Sequence, residues 1–331
     1  MSRWEELALE SEALRGNALS DPHVRPVFVW TPPSYDSEPE RRYASIYVLQ
    51  GMFGQARAWF NVSPFQQNVP ETIDELTPEA VVVLVDGFTS VGGAQWLDSP
   101  ATGRYGTYFC DEVVPFVDAR FRTAAAAAHR GVAGKSSGGF GAMTWGMLRP
   151  DLFGGFATHA GDGLFEVTVS AEFAKVAQEL RNRYDGSFER FWDDFRSGRP
   201  VFESGVDPML ANTWAEACAY SSNPDGSVNL PFRIDTGRLV PEVFERWLAH
   251  DPVRLAAAHG EALRQARAIW IDAGRNDEYR LDLAATAFRD AVLAAGVDDE
   301  VVRFELHEGT HRGTNWRHAL SIPWLAERLA L

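Results

Sequence analysis

The stretch Gly134-Lys135-Ser136-Ser137-Gly138 has the pattern G-x-S-x-G. Arg130-Gly131-Val132-Ala133 before it reads as a strand. Phe140 to Leu148 after it reads as a helix that Pro150 ends. A serine between a strand and a helix is forced into a strained turn, which lifts its hydroxyl clear of the sheet as a nucleophile. Glycines two before and two after are needed because a Cβ would clash in so tight a turn. The N-terminus of the following helix also favours a developing oxyanion. Ser137 cannot take the nucleophile's place, because position 135 is Lys rather than Gly. A phosphate-binding loop ending in Gly-Lys-Ser would need Gly at 129, where the chain has His129.

A serine nucleophile needs a base and an orienting carboxylate, which follow it in the order acid, then histidine, on loops after later strands. Ile269-Trp270-Ile271-Asp272-Ala273-Gly274-Arg275-Asn276-Asp277 is a strand running into a glycine turn. Asp277 is the first candidate acid, Asp272 the second and Asp162 the third. Val301 to Leu306 is a further strand, running into His307-Glu308-Gly309-Thr310-His311. His311, flanked by Gly309 and Gly313, is the candidate base, with His307 as its alternative. Of the other histidines only His159 draws notice, since the strand after the elbow helix should end near the site. His307 to His311 also spells H-E-x-x-H, but a zinc protease carries that motif on a helix. Here strand residues precede it, glycines interrupt it, and Arg317 stands where an extended motif has its third ligand. No metal and no organic cofactor is expected. Two backbone N–H groups must also meet the oxyanion. Ser137 supplies one and the loop Leu49-Gln50-Gly51-Met52-Phe53-Gly54 the other, at Met52.

The elements that position these residues are strands alternating with helices. Val27 to Trp30, Ser45 to Leu49 and the almost wholly apolar Glu79 to Val85 are strands, the last buried on both faces. Residues 108–121 have helical spacing, with Pro115 as the weak point. Phe153 to Thr158 is another strand, and Leu281 to Ala295 is helical. The pattern predicts an α/β fold with a mainly parallel sheet flanked by helices. The N-terminal residues before Val27 read as a polar lead-in. Residues 164–250 are helical early (Glu172 to Arg183, Phe188 to Phe195) and then loop-rich. They read as a cap inserted in a discontinuous core of 1–163 and 251–331, so the 331 residues form one catalytic core rather than two domains.

With 31 Lys+Arg against 46 Asp+Glu the net charge is −15. That argues against nucleic-acid binding, which needs a basic stripe, and against attachment to anionic lipid. No run approaches the ~18 apolar residues of a membrane helix. The start Met1-Ser2-Arg3-Trp4-Glu5-Glu6 lacks a signal peptide's apolar centre. Cys110 and Cys218, the only cysteines, form no metal or redox pattern. The expectation is a cytoplasmic protein with free thiols, its oligomeric state left open.

These residues resemble the putative esterase family of α/β-hydrolases, which contains esterase D (S-formylglutathione hydrolase), enterochelin esterase-like proteins and mycolyltransferases. The resemblance spans most of the chain. It rests on Arg25 to Tyr35, Tyr47-Val48-Leu49-Gln50-Gly51, Asp98 to Gly103, Gly134 to Ala142, Gly274-Arg275-Asn276-Asp277 and Gly309-Thr310-His311. It implies an α/β-hydrolase fold, with the family's triad on Ser136, Asp277 and His311 and its oxyanion donors on Met52 and Ser137. Gln50 stands where many relatives have His or Asp, and Ser137 where many have Met. The expected activity is hydrolysis of a small-molecule carboxylic ester or thioester through an acyl-serine. Gln50, Phe53, Trp59, Trp96, Ser99, Trp316 and the cap residues Trp192 and Trp214 are candidate pocket residues. The alternatives are an acyltransferase with the same triad, an enterochelin-type lactone esterase using Arg275, Arg312 and Lys135, and a binding protein on the same fold.

Overall fold

A computed structural model describes residues 4–197 and 206–331. The first three residues, and positions 198–205 of the expected insertion, lie outside the described residues. The strands are β1 (Trp4–Glu10), β2 (Val24–Trp30), β3 (Ala44–Leu49), β4 (Ala80–Val85), β5 (Asp98–Ser99), β6 (Gly103–Arg104), β7 (Arg130–Lys135), β8 (Gly155–His159), β9 (Ala268–Gly274) and β10 (Val302–His307). Eight of them form one sheet in the order β1-β2-β4-β3-β7-β8-β9-β10, while β5 and β6 make a separate small hairpin. From β4 through β10 every pairing in the large sheet is parallel; β1 and β2 are antiparallel.

The central strands are apolar because helices cover both faces. In β4, Val81, Val83 and Val85 enter one apolar cluster, with Phe109, Met143 and Phe288. Ala80, Val82 and Leu84 enter another, with Ile73, Ile322 and Leu325. This alternation is the period of two that a strand imposes. Helices Ser137–Leu148, Pro252–Ala258 and Leu281–Ala294 pack on the first side. The C-terminal helix His318–Arg328 and Val69–Leu76 pack together on the second.

The lead-in reading of the N-terminus is corrected, since β1 pairs along its whole length with β2, from Trp4 opposite Trp30 to Glu10 opposite Val24. The stretch read as one helix over 108–121 contains a π-turn at Tyr108–Val113 before Val114–Asp118. Pro115 follows on that π-turn, as the second residue of the latter. In residues 164–250, helices Ser170–Tyr184, Phe188–Arg196, Val206–Tyr220 and Pro241–Leu248 contribute most of a third apolar cluster. Phe173, Leu180, Phe191, Leu210 and Trp247 belong to it, and Phe140 of the elbow helix lies against it.

Candidate active site

Ser136 joins β7 to the helix Ser137–Leu148 with φ +57° and ψ −126°, a conformation that side chains avoid. The flanking glycines are obligatory. A Cβ on Gly134 would lie 2.1 Å from the Gly138 carbonyl oxygen, and one on Gly138 would lie 2.1 Å from that of Leu49. The Ser136 N–H donates to the His159 carbonyl at 2.9 Å, tying the elbow to the neighbouring strand.

His311 is brought to the elbow by the loop after β10. Its Nε2 lies 3.0 Å from Ser136 Oγ and its Nδ1 2.9 Å from Asp277 Oδ2. Asp277, 7% exposed, is fixed in turn by the N–H of Tyr279, which donates to Oδ1 at 2.9 Å. The two loops lock together where the Asn276 N–H donates to the Gly309 carbonyl at 2.9 Å. They touch there because Gly274 has no Cβ, which would fall 2.6 Å from that oxygen. The Glu278 carboxylate accepts the His311 backbone N–H at 2.7 Å, and the Tyr279 ring stands edge-on to the imidazole.

The structure therefore joins Ser136, Asp277 and His311. The lower-ranked candidates fall elsewhere. Asp272 accepts from His159 and Arg317 beneath the sheet. Asp162 lies in the pocket wall and accepts from Gln95 Nε2 at 3.1 Å. Burial, against the pull of that bond and of His311, pushes the Asp162 carboxyl up to about 6. His307 ends β10 and Gly309 is non-helical, so H-E-x-x-H does not present two imidazoles on one helix face.

Met52 and Ser137 sit on the two backbone segments that border the serine. A Cβ on Gly51 would lie 3.0 Å from the Lys135 carbonyl oxygen and 3.3 Å from Ser136 Cβ, so this loop lies directly against the elbow. Ser137 is the first residue of the elbow helix, where N–H groups have no partner within the helix.

Ser136 opens into a cavity of about 830 Å³, within the range of small-molecule sites. Gln50, Met52, Phe53 and Trp59 line it. Five pocket expectations are corrected. Trp96 is buried beneath the Gln50 loop, donating its indole N–H to the Gln50 carbonyl at 3.1 Å. Ser99 is buried 3.0 Å from Ser222 Oγ and donates to the Cys218 carbonyl. Trp316 is exposed on the outside, stacked by Arg317. Trp192 and Trp214 pack within the third apolar cluster instead. Of the basic residues, Lys135 and Arg312 reach the cavity, whereas Arg275 pairs with Glu308. Burial lowers the Lys135 ammonium below its ordinary range, partly offset by Asp277, Asp162 and Glu278.

Sequence reasoning missed the wall that the helix Val206–Tyr220 supplies, with Met209, Asn212, Thr213 and Glu216. Their spacing marks one helix face, but nothing local in the sequence says what that face meets.

The family model described as Putative esterase matches residues 22–323. The chain belongs to that family. It is a hydrolase acting on ester bonds, with the α/β-hydrolase fold. A ferulic acid esterase structure superposes with a TM-score of 0.63 at 18% identity, covering 99% of each chain. An S-formylglutathione hydrolase from Agrobacterium tumefaciens gives 0.59 at 15% identity, over 99% of this chain and 96% of that one. A fluorophosphonate-binding serine hydrolase from Staphylococcus aureus gives 0.59 at 14% identity, over 98% of both. At such identities the likeness is one of fold. No curated protein matches the chain in sequence. Among the described residues no helix is long and apolar enough to cross a membrane.

Proposed function

We propose that this protein is a serine carboxylesterase that hydrolyses a small-molecule carboxylic ester or thioester through an acyl-Ser136 intermediate. The observation that carries the reading is His311, within hydrogen-bond distance of both Ser136 Oγ and Asp277 at a strained elbow open to a cavity. His311 Nε2 takes the Ser136 proton as Oγ attacks the ester carbonyl. Asp277 holds the Nδ1–H tautomer and stabilises the imidazolium. The oxyanion receives the N–H groups of Met52 and Ser137, each donor contributing about 3–4 kcal/mol to the transition state. The tetrahedral intermediate collapses, and the imidazolium gives its proton to the departing alkoxide or thiolate. Water, deprotonated by the same imidazole, then attacks the acyl-serine and releases the acid, returning the proton to Ser136.

On this reading residues 164–250 form a cap that closes the cavity, supported by their separate apolar cluster and by the helix they place in its wall. Cys110 and Cys218 are both buried and unbonded, which supports a reducing cytoplasmic setting. A fluorophosphonate tests the chemistry. It should add one adduct to the folded protein, on Ser136, and none to Ser136→Ala. Equal labelling of both proteins would refute the assignment.

A further inference from the structure

The cavity extends past the triad to a wall whose chemistry the acyl-transfer steps do not use. The helix Val206–Tyr220 turns Met209, Asn212, Thr213 and Glu216 toward it. Glu216 is 4% exposed. One of its carboxyl oxygens accepts from Asn212 Nδ2 at 2.9 Å, and the other, Oε2, meets no hydrogen-bond partner. The last torsion of a glutamate side chain is soft, so a small turn presents that oxygen to the cavity. Burial, and next the charge of Asp162, push this carboxyl well above the usual carboxylate range, toward the protonated form that donates a hydrogen bond.

Asp162 faces the same cavity from the core side, held by Gln95. Gln95 and Trp96 follow one another at φ +50° and +56°, a costly backbone that delivers the Gln95 amide to this spot. Buried polar atoms are nearly always paired, so an unpartnered carboxyl oxygen on a residue of the cavity wall points to a polar ligand.

The chemistry of that ligand follows from the pair. An alkyl chain would leave Glu216 Oε2 unpaired, and a carboxylate would be repelled by Asp162. An ammonium would pair with Asp162 but, having no lone pair, could not accept a hydrogen bond from Glu216. A hydroxyl group fits without any change of protonation, because it accepts from one carboxyl while donating to the other. We propose that Glu216 and Asp162 form a subsite for a hydroxyl group of the ester substrate, with Glu216 donating to it and Asp162 accepting from it. The proposal rests on the esterase reading and names Glu216 as the residue that sets substrate preference.

The test uses two series of esters matched in chain length. One is the acetates of a straight-chain alcohol, of the diol with an added terminal hydroxyl, and of the corresponding amino alcohol. The other carries the same alkyl, hydroxyl and amino ends on the acyl side. The wild-type kcat/KM should favour the hydroxyl member over the alkyl member by about tenfold or more in one series, as in sites built to bond a hydroxyl. Glu216→Leu should erase or reverse that ratio. Glu216→Gln should keep it, because the amide still donates from the same place and still accepts from Asn212. The isosteric variant also answers the question if the Leu variant does not fold. No hydroxyl preference in either series, an unchanged ratio in Glu216→Leu, or a preference for the amino member overturns the proposal. Turnover of p-nitrophenyl acetate in parallel separates the two levels: its absence in folded wild-type protein overturns the esterase reading as well, whereas turnover without hydroxyl preference overturns the subsite alone.

Discussion

The molecule contains two Ser–His–Asp strings of nearly equal dimensions. At the cavity, His311 stands 3.0 Å from Ser136 and 2.9 Å from Asp277. Beneath the sheet, His159 stands 2.8 Å from both Ser321 and Asp272. What separates them is their surroundings. Ser136 sits on a strained elbow between the segments that carry Met52 and Ser137 and opens to a cavity. Ser321 lies inside the C-terminal helix, is 0% exposed, and has no room for a substrate. Asp277 is held by backbone N–H groups, whereas Asp272 is also bound by Arg317, which reaches on to Glu305. The second string is therefore a strut. It fastens the C-terminal helix to β8 and β9, and through the His159 carbonyl it supports the elbow itself. Three side chains at hydrogen-bond distance are common to both strings; a strained backbone and an open face belong to the Ser136 string alone.

Exchanging the members of the two strings should therefore affect different observables. Ser136→Ala is expected to lower kcat by about 10⁴–10⁶-fold and to abolish fluorophosphonate labelling. Ser321→Ala should label like the wild type, and labelling lost there instead would reverse the assignment of the two strings. Asp277→Asn should lower kcat about 10⁴-fold with little loss of stability, since the wrong histidine tautomer is then favoured. Asp272→Asn should do the opposite. It weakens the hold on the Arg317 guanidinium, 2% exposed, which keeps Glu305 as a carboxylate partner, a change that costs about 2–3 kcal/mol. Urea unfolding of both variants beside their kcat values checks the contrast.

The sequence made the first string legible and hid the second, for a physical reason. An elbow and its glycine loops are local devices, so the pattern around Ser136 and the strand-to-loop steps at Asp277 and His311 show in the order of residues. The strut depends on strand register, which sets His159 opposite Asp272, and on a helix that arrives from the chain's end. Asp272 and His159 drew notice as candidates for the cavity site; they belong together in the other one. The central strands were legible because burial on both faces leaves an unbroken apolar run. The edge strand β1 was not, since Glu5, Glu6, Ala8 and Glu10 face solvent and dilute its pattern. Such charges also guard an open sheet edge. The helix Val206–Tyr220 is buried on most sides by small residues, so it shows no amphipathic stripe. The types of Trp96, Ser99 and Trp316 did not reveal on which side of the cavity wall each would lie.

The effects of pH are no larger, and here the two regions should carry opposite signs. Asp162, at the cavity, has a carboxyl raised from 3.8 to about 6 by burial, among Gln95, His311, Asp277 and Lys135. The folded state holds its proton more tightly than the unfolded chain, so stability should decline as pH rises from about 4 through 6. The full effect converts to about 3 kcal/mol. Asp162→Asn should gain that amount over the wild type at pH 8 and almost nothing at pH 3.5. Asp272, in the strut, is pushed up by burial, but His159 and Arg317 outweigh that and hold it at about 2. Its contribution is present above pH 3.8 and is lost as pH falls toward 2, about 2 kcal/mol in all. Urea midpoints of the wild type, Asp162→Asn and Asp272→Asn across pH 2–8 should show the first variant increasingly more stable than the wild type as pH rises and the second increasingly less stable, both differences diminishing as the solution is acidified. Differences of the same sign in the two variants would mean that cavity and strut share one electrostatic environment, and the contrast between the two strings would then reduce to geometry alone.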